Sequence, residues 1–141
     1  MPKIFSHRFI IPTEANDANG HVNNVAYLQW MQDVATMHSD AQGCTYERYR
    51  QFDASWFVRS HHIDYLRPAF AGEEIEILTW VSTMQRTRSL RRYCFRRSVD
   101  REVLARAETD WVYVNTGNGR PRSVDSEIRN AFELVAPEEE P

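Results

Sequence analysis

From Asp17 to Tyr27 the chain reads Asp-Ala-Asn-Gly-His-Val-Asn-Asn-Val-Ala-Tyr. A carboxylate, an imidazole and several side-chain amides thus fall within a few residues of one another. Gly20 lets the backbone turn there without a Cβ penalty. Directly afterwards Val25, Leu28, Met31, Ala35 and His38 recur at helical spacing. Asn23 or Asn24 suits the N-cap of that helix. The pattern predicts a strand-to-helix turn that aims backbone N–H groups and an acidic side chain at one point. Such an arrangement serves acyl chemistry: the helix start holds a developing oxyanion while the carboxylate handles water.

The elements that must position this turn follow from periodicity. Residues 5–12 carry β-formers, and a helix is expected over about 24–40, broken by Gly43. Thr45 starts a short second helical turn. From Ala54 the period becomes two, with Trp56, Val58, Ser60 and His62 expected on one face and Phe57, Ile63 and Tyr65 on the other. Further strands are expected over 74–83, 88–99 and 103–114, the last two joined by a tight turn at Asp100-Arg101-Glu102. Short connections require antiparallel pairing. A tail helix is expected over about 126–134, followed by a frayed acidic end at Glu138-Glu139-Glu140. The resulting class is α+β, a five-stranded antiparallel sheet with one long helix, as a single domain over 1–141. One helix covers one sheet face, so a second copy of the chain is the expected cover for the other.

Bulk properties narrow the function classes. The 141 residues suffice for a substantial core, and 42% hydrophobic with 26% charged residues is a globular balance. A net charge of −3 gives no general case for nucleic acid or membrane binding. No apolar run has transmembrane length and no signal-peptide core is apparent, so a cytoplasmic setting is expected. Cys44 and Cys94 are too few for a disulfide framework or a zinc site. His61 and His62, adjacent on a strand, point to opposite faces and cannot readily share a metal ion.

This order of elements, taken with the turn, resembles the hotdog fold, in which a curved antiparallel sheet wraps a central helix. The chain is similar to the hotdog-fold acyl-CoA thioesterases of the 4-hydroxybenzoyl-CoA thioesterase-like family. Besides the turn, the resemblance rests on Ile63-Asp64-Tyr65-Leu66-Arg67-Pro68-Ala69, Gly72-Glu73-Glu74-Ile75, Arg88-Ser89-Leu90-Arg91-Arg92, Ala105-Arg106-Ala107-Glu108-Thr109-Asp110-Trp111-Val112 and Gly119-Arg120-Pro121. It implies hydrolysis of an acyl-CoA thioester to a carboxylic acid and free CoA, without metal or redox cofactor because the thioester is already activated. It makes Asp17 the catalytic nucleophile or general base and the backbone N–H of Asn24 the oxyanion donor. Many relatives carry a second acid two positions before, where this chain has Ala15. The Asp-x-Asn-x-His spacing resembles acyl-carrier-protein thioesterases of the same fold, which brings in His21 and Asn19. Gly20 and Tyr27 are further substrate-side candidates. Core packing of Tyr27, and loop roles for Asn19 and His21, are the plain alternatives.

Arginines concentrate at positions 86, 88, 91, 92, 96, 97 and 101. Coenzyme A carries phosphates that arginine can grip bidentately. By resemblance the hairpin between the third and fourth strands lies near the nucleotide, so Arg86, Arg88 and Ser89 are the expected contacts. The alternative is a solvated strand face paired with Glu74, Glu76, Glu102 and Glu108. The resemblance further implies a homodimer or homotetramer with the site at a subunit junction. Enoyl-CoA hydration is disfavoured, because its Asp-x-Asn-Pro-x-His pattern is broken here by Gly20 and an early His21. A non-catalytic acyl-CoA-binding module and an acyl-carrier-protein thioesterase remain the alternatives.

Overall fold

The computed structural model describes residues 3–141. Strand β1 (Phe5–Ile10) leads through a single 3₁₀ turn to helix α1 (Asn24–Ala41) and the short α2 (Tyr46–Gln51). Four strands follow: β2 (Ala54–Tyr65), β3 (Glu74–Met84), β4 (Arg88–Arg97) and β5 (Val103–Asn115), then a one-turn helix α3 (Ser126–Arg129). The strands form one antiparallel sheet in the order β1-β3-β4-β5-β2. This is the expected α+β hotdog architecture, with α1 packed on one face of the sheet.

Helix α1 starts where Asn23 accepts the Val25 N–H at 2.8 Å, a side-chain cap. It buries Tyr27, Met31, Val34, Ala35 and His38 against the sheet. That stripe is rotated from the expected one, since Val25 is 67% exposed. Val25 falls on the exposed side of the first turn, and the bulkier Tyr27 takes the inward position. Tyr27 packs edge-on against Trp30, Tyr65 and Phe95 and anchors a core cluster with Ile75, Ile77 and Leu104.

Two further expectations fail for physical reasons. The pairing of β2 with β5 shifts between Val58 and Ser60, a bulge centred on Arg59. One extra residue flips every side chain beyond it to the opposite face. Trp56 and Ile63, assigned to opposite faces by simple alternation, therefore both join core clusters facing the helices. The C-terminal segment is also not frayed. Its helix ends at Arg129 rather than near residue 134, and the chain then crosses the outer face of β3. There Val135 packs with Leu78, Trp80 and Cys94. Glu140 accepts the Trp80 indole N–H at 2.8 Å and pairs with Arg92 at 3.0 Å, while Glu139 meets Lys3 at 2.6 Å. The acidic tail is held because it meets basic and N–H donors on the sheet, so part of the outer face is covered by the chain itself rather than by a second copy.

Candidate active site

The turn between β1 and α1 is closed by backbone bonds at its base and by one carboxylate within it. Asn16 and Val22 form an isolated antiparallel bridge, and the Asp17 N–H donates to the His21 carbonyl at 2.6 Å. The Val22 N–H reaches the Ala69 carbonyl at 2.9 Å, and Asn23 N–H reaches that of Ala15 at 2.7 Å. These ties fasten the turn to the core on one side and to the chain entering β3 on the other. Gly20 sits at φ +82°, a left-handed conformation that favours glycine.

Within the turn, Asp17 Oδ1 accepts the N–H of Asn19 at 2.8 Å and that of His21 at 3.3 Å. Two backbone donors on one oxygen fix the carboxylate's orientation. Oδ2 takes no bond among the described residues and faces solvent with the rest of the exposed turn. Because Asn23 caps Val25, the backbone N–H of Asn24 has no partner among the described residues. An unpaired N–H at the first position of an 18-residue helix is a donor for developing negative charge. The fold therefore brings a fixed carboxylate and a free helix-start donor into one short segment.

The remaining candidates separate. The His21 ring lies edge-on to Phe70, with centroids 5.2 Å apart, and is exposed. Asn19 contributes its backbone N–H to Asp17, and its side chain is exposed. Tyr27 belongs to the core, and its phenol is pushed up to about 12 by burial, with Tyr65 and Glu73 adding to the effect. Sequence reasoning missed Tyr65, whose hydroxyl donates to the Asn24 carbonyl at 3.3 Å and so steadies the first turn of α1. Its period-two position at the end of β2 was visible, but its contact with a residue 41 positions away was not.

Arg86, Arg88 and Ser89 lie at the other end of the sheet. The turn is fastened beside the start of β3, whereas these residues flank its far end, across all 11 residues of the strand. At ~3.3 Å per residue that separation is on the order of 30 Å. Arg86 donates to Ser123 Oγ at 2.9 Å, and Arg88 forks onto Asp110. Ser89 is buried, with its hydroxyl donating to the Thr83 carbonyl at 2.9 Å. Other arginines pair largely with carboxylates: Arg92 with Glu108, Arg96 with Glu76, Arg67 with Glu102. Glu74 makes no such pair among the described residues. His61 turns inward to Thr109 at 2.8 Å while His62 meets Asp64 outside at 3.2 Å, and no described cluster could hold a metal. Cys44 and Cys94 are both buried and unpaired.

Residues 2–132 match the family model described as acyl-ACP thioesterase N-terminal domain. Among curated relatives, the Arabidopsis thaliana oleoyl-acyl carrier protein thioesterase 1 is 24% identical over 142 residues, covering 96% of this chain but 39% of its own length. The chain thus spans well under half of that relative. Among solved structures, a 1,4-dihydroxy-2-naphthoyl-CoA thioesterase from Synechocystis superposes with a TM-score of 0.84 at 16% identity, over 92% of this chain and 95% of its own. A Staphylococcus aureus protein solved in complex with CoA gives 0.85 at 16% identity, over 91% and 80%. At these identities the structures establish the shared fold. No described helix is long and apolar enough to cross a membrane.

Proposed function

The chain belongs to the acyl-ACP thioesterase N-terminal domain family, and on that footing we propose that it hydrolyses acyl thioesters to a carboxylic acid and a free thiol. The observation that carries this reading is the pairing of a carboxylate held through Oδ1, with Oδ2 free, and an unpaired Asn24 N–H at the start of α1. In the proposed reaction Asp17 takes a proton from water, and the resulting hydroxide adds to the thioester carbon. The carbonyl oxygen becomes an oxyanion facing Asn24 N–H and the positive end of α1. Collapse expels the thiolate, which recovers the proton from Asp17. Direct attack by Oδ2, giving an anhydride that water then opens, uses the same groups. Heavy oxygen found on Asp17 after a single turnover in labelled water identifies the anhydride route, opened at the aspartyl carbon, because the general-base route puts no label there. His21 and Asn19, on the same exposed turn, border the thioester in either route.

We assign acyl-CoA as substrate, supported by the arginine-bearing hairpin and by the CoA held in the Staphylococcus aureus relative. The acyl-ACP family description favours carrier-protein thioesters as the second reading. The distance between turn and hairpin makes a specific demand on the CoA reading. Arg86 and Arg88 can meet phosphates of a thioester bound at Asp17 only if a second copy supplies them. Strand β2 is an edge strand whose one end lies near Asn24 and whose other end pairs with β5 at Val112, the residue that Arg88 faces on β5's other side. Antiparallel pairing of two β2 edges about a two-fold axis sets the hairpin end of one protomer beside the turn end of its partner. A homodimer of this kind fits both sets of candidates, and the buried free thiols of Cys44 and Cys94 suit a reducing, cytoplasmic setting.

The test is thiol release by purified protein across short, long and aryl acyl-CoAs and the matching acyl-carrier-protein thioesters. Release from CoA thioesters with loss on Asp17→Ala supports the reading; release from carrier-protein thioesters alone moves it to the second. Absence of release from every thioester overturns it.

A further inference from the structure

A developing oxyanion is held best by more than one preorganised donor, and the turn offers a single free N–H, that of Asn24. From residue 19 to residue 26 every other backbone N–H already has an acceptor. Asn19 and His21 donate to Asp17 Oδ1, Gly20 to the Asp17 carbonyl, Val22 to Ala69, Asn23 to Ala15, and Val25 and Ala26 to Asn23. A second donor at this point must therefore be a side chain. The side-chain amides of Asn19 and Asn24 make no hydrogen bond among the described residues, and the His21 ring leans on Phe70. One side-chain donor is held against Asn24 itself: the Tyr65 hydroxyl, which reaches the Asn24 carbonyl at 3.3 Å.

The base of Tyr65 is fixed and its tip is open. Its backbone ends β2 opposite Ala105, and the N–H groups of Leu66 and Arg67 both bond to the Leu104 carbonyl, at 2.9 and 3.1 Å. Its ring stands edge-on to the buried Tyr27 with centroids 5.1 Å apart. The residue as a whole is 43% exposed. Partial burial pushes the phenol up from the ordinary 10.0, so the hydroxyl keeps its proton through neutral pH.

The bond that Tyr65 makes is also replaceable. It is long for an O–H donor, and the Asn24 carbonyl, in the first turn of α1, is the acceptor for the helical N–H four residues on. The nitrogen and carbonyl oxygen of one helical residue stand about 3.5 Å apart, which puts the phenol no more than about 7 Å from the Asn24 nitrogen. Two ordinary hydrogen bonds through one oxygen atom span about 6 Å, so an advance of ~1 Å by the phenol brings both donors onto that atom. Asp17, Asn24 and Tyr65 belong to one chain, and the arrangement needs no second copy.

We propose that Tyr65 is a second catalytic donor: as the thioester binds, its hydroxyl releases the Asn24 carbonyl and donates to the thioester oxygen beside the Asn24 N–H. The phenol holds its proton throughout and only exchanges one acceptor for another. Its bond strengthens as the carbonyl oxygen gains charge, so the effect falls on turnover rather than on substrate binding. This assignment rests on the hydrolytic reading of the turn.

Tyr65→Phe keeps the ring on Tyr27 and removes only the donor. On an acyl-pantetheine thioester it is expected to lower kcat by about 10²-fold, the lower end for loss of an oxyanion donor, with KM changed by less than about two-fold and the urea midpoint unmoved. A native kcat in the folded variant overturns the proposal, as does a loss carried by KM alone. Infrared spectroscopy separates touching the substrate from propping the helix start. In Asp17→Asn, where the bound thioester persists, the band of an isotope-labelled thioester carbonyl is expected at lower frequency than in the double variant Asp17→Asn, Tyr65→Phe. A hydroxyl that only props the helix leaves that band in place, and this result overturns the proposal. A fluorinated tyrosine introduced at position 65, similar in shape and more acidic, is expected to lower the band further. It decides the matter if Tyr65→Phe does not fold, an unchanged band again overturning the proposal. Thiol release by the native protein keeps the two readings apart: no release from any thioester is failure of the hydrolytic reading, whereas native release that Tyr65→Phe retains in full is failure of this one alone.

Discussion

The turn at Asp17 and the arginine-bearing hairpin offered chemistry on equal terms as residue types, yet the fold treats them oppositely. In the turn, backbone amides orient one carboxylate oxygen and leave the other open, and a side-chain cap on Val25 leaves the Asn24 N–H unpaired. Along β4 the charged groups are already engaged: Arg88 with Asp110, Arg92 with Glu108 and Glu140, Arg96 with Glu76, Arg97 with Glu73 and Asp100. A group with a free valence for hydrogen bonding can act on a substrate at little cost. A group with a partner must first give that partner up. The comparison ranks the two regions: the turn reads as a reaction centre, and the hairpin as a structural face that can at most exchange partners.

The largest expected effect breaks the turn. Asp17→Ala is expected to lower kcat/KM on an acyl-CoA by about 10²-fold or more, the scale of a positioned acid–base group. Stability should change by no more than ~1 kcal/mol, because the side chain is exposed and its bonds close only a local turn. Urea denaturation beside thiol-release kinetics checks both halves. Near-native turnover in a folded Asp17→Ala protein removes the turn from the mechanism.

The opposite signature is expected on the sheet. Glu76 is 6% exposed and accepts from Ser6 at 2.6 Å, Arg96 at 2.7 Å and Arg8 at 3.3 Å. Burial pushes its carboxyl up, but the Ser6 hydroxyl and the two guanidiniums outweigh it, and the net direction is below the ordinary 4.5. A carboxyl held low in the folded state stabilises above its unfolded value, and that contribution is lost as pH falls through the depressed folded value. Glu76→Gln is expected to cost about 1–2 kcal/mol at neutral pH and to flatten the fall in stability below about pH 4.5, with kcat unchanged. An unchanged acid limb in denaturation against pH contradicts this reading of the cluster.

What the sequence disclosed, and what it hid, follows the same divide. The turn was legible because its chemistry is local: Asp17, Gly20 and Asn23 act on neighbours a few positions away. The succession of elements along the chain and antiparallel pairing were legible from period and short connections, whereas the pairing of β2 with β5 rather than with its sequence neighbour β3 was not. The bulge at Arg59 was not, since a single inserted residue leaves composition and alternation almost unchanged while reversing the face of Ile63. The docking of Glu140 on Trp80 and Arg92 was hidden for a different reason, being decided by pairs 60 and 48 positions apart. The same applies to Arg91, one arginine in a run of similar ones. Its neighbours pair outward with acids, and only the alternation of β4 against α1 turns it inward to His38.

The smallest expected effect sharpens the comparison at its weaker side. If the hairpin of a partner protomer meets CoA phosphates, replacing both Arg86 and Arg88 with Ala raises KM for acyl-CoA several-fold and leaves acyl-pantetheine turnover unchanged, because the truncated substrate has no phosphates to lose. The gain from phosphate contact is limited, since Arg88 must release Asp110 and Arg86 must release Ser123. The KM effect shrinks with added salt, as exposed contacts are screened over about 10 Å at 0.1 M. It also requires association, because the hairpin and the turn of one chain stand at opposite ends of β3. Sedimentation therefore accompanies the kinetics: a selective KM effect in a species that sediments as a monomer contradicts the two-chain site. Equal damage to both substrates assigns these arginines to the fold through Asp110 and Ser123. No damage to either leaves the hairpin as a paired, solvated face, with recognition confined to the turn.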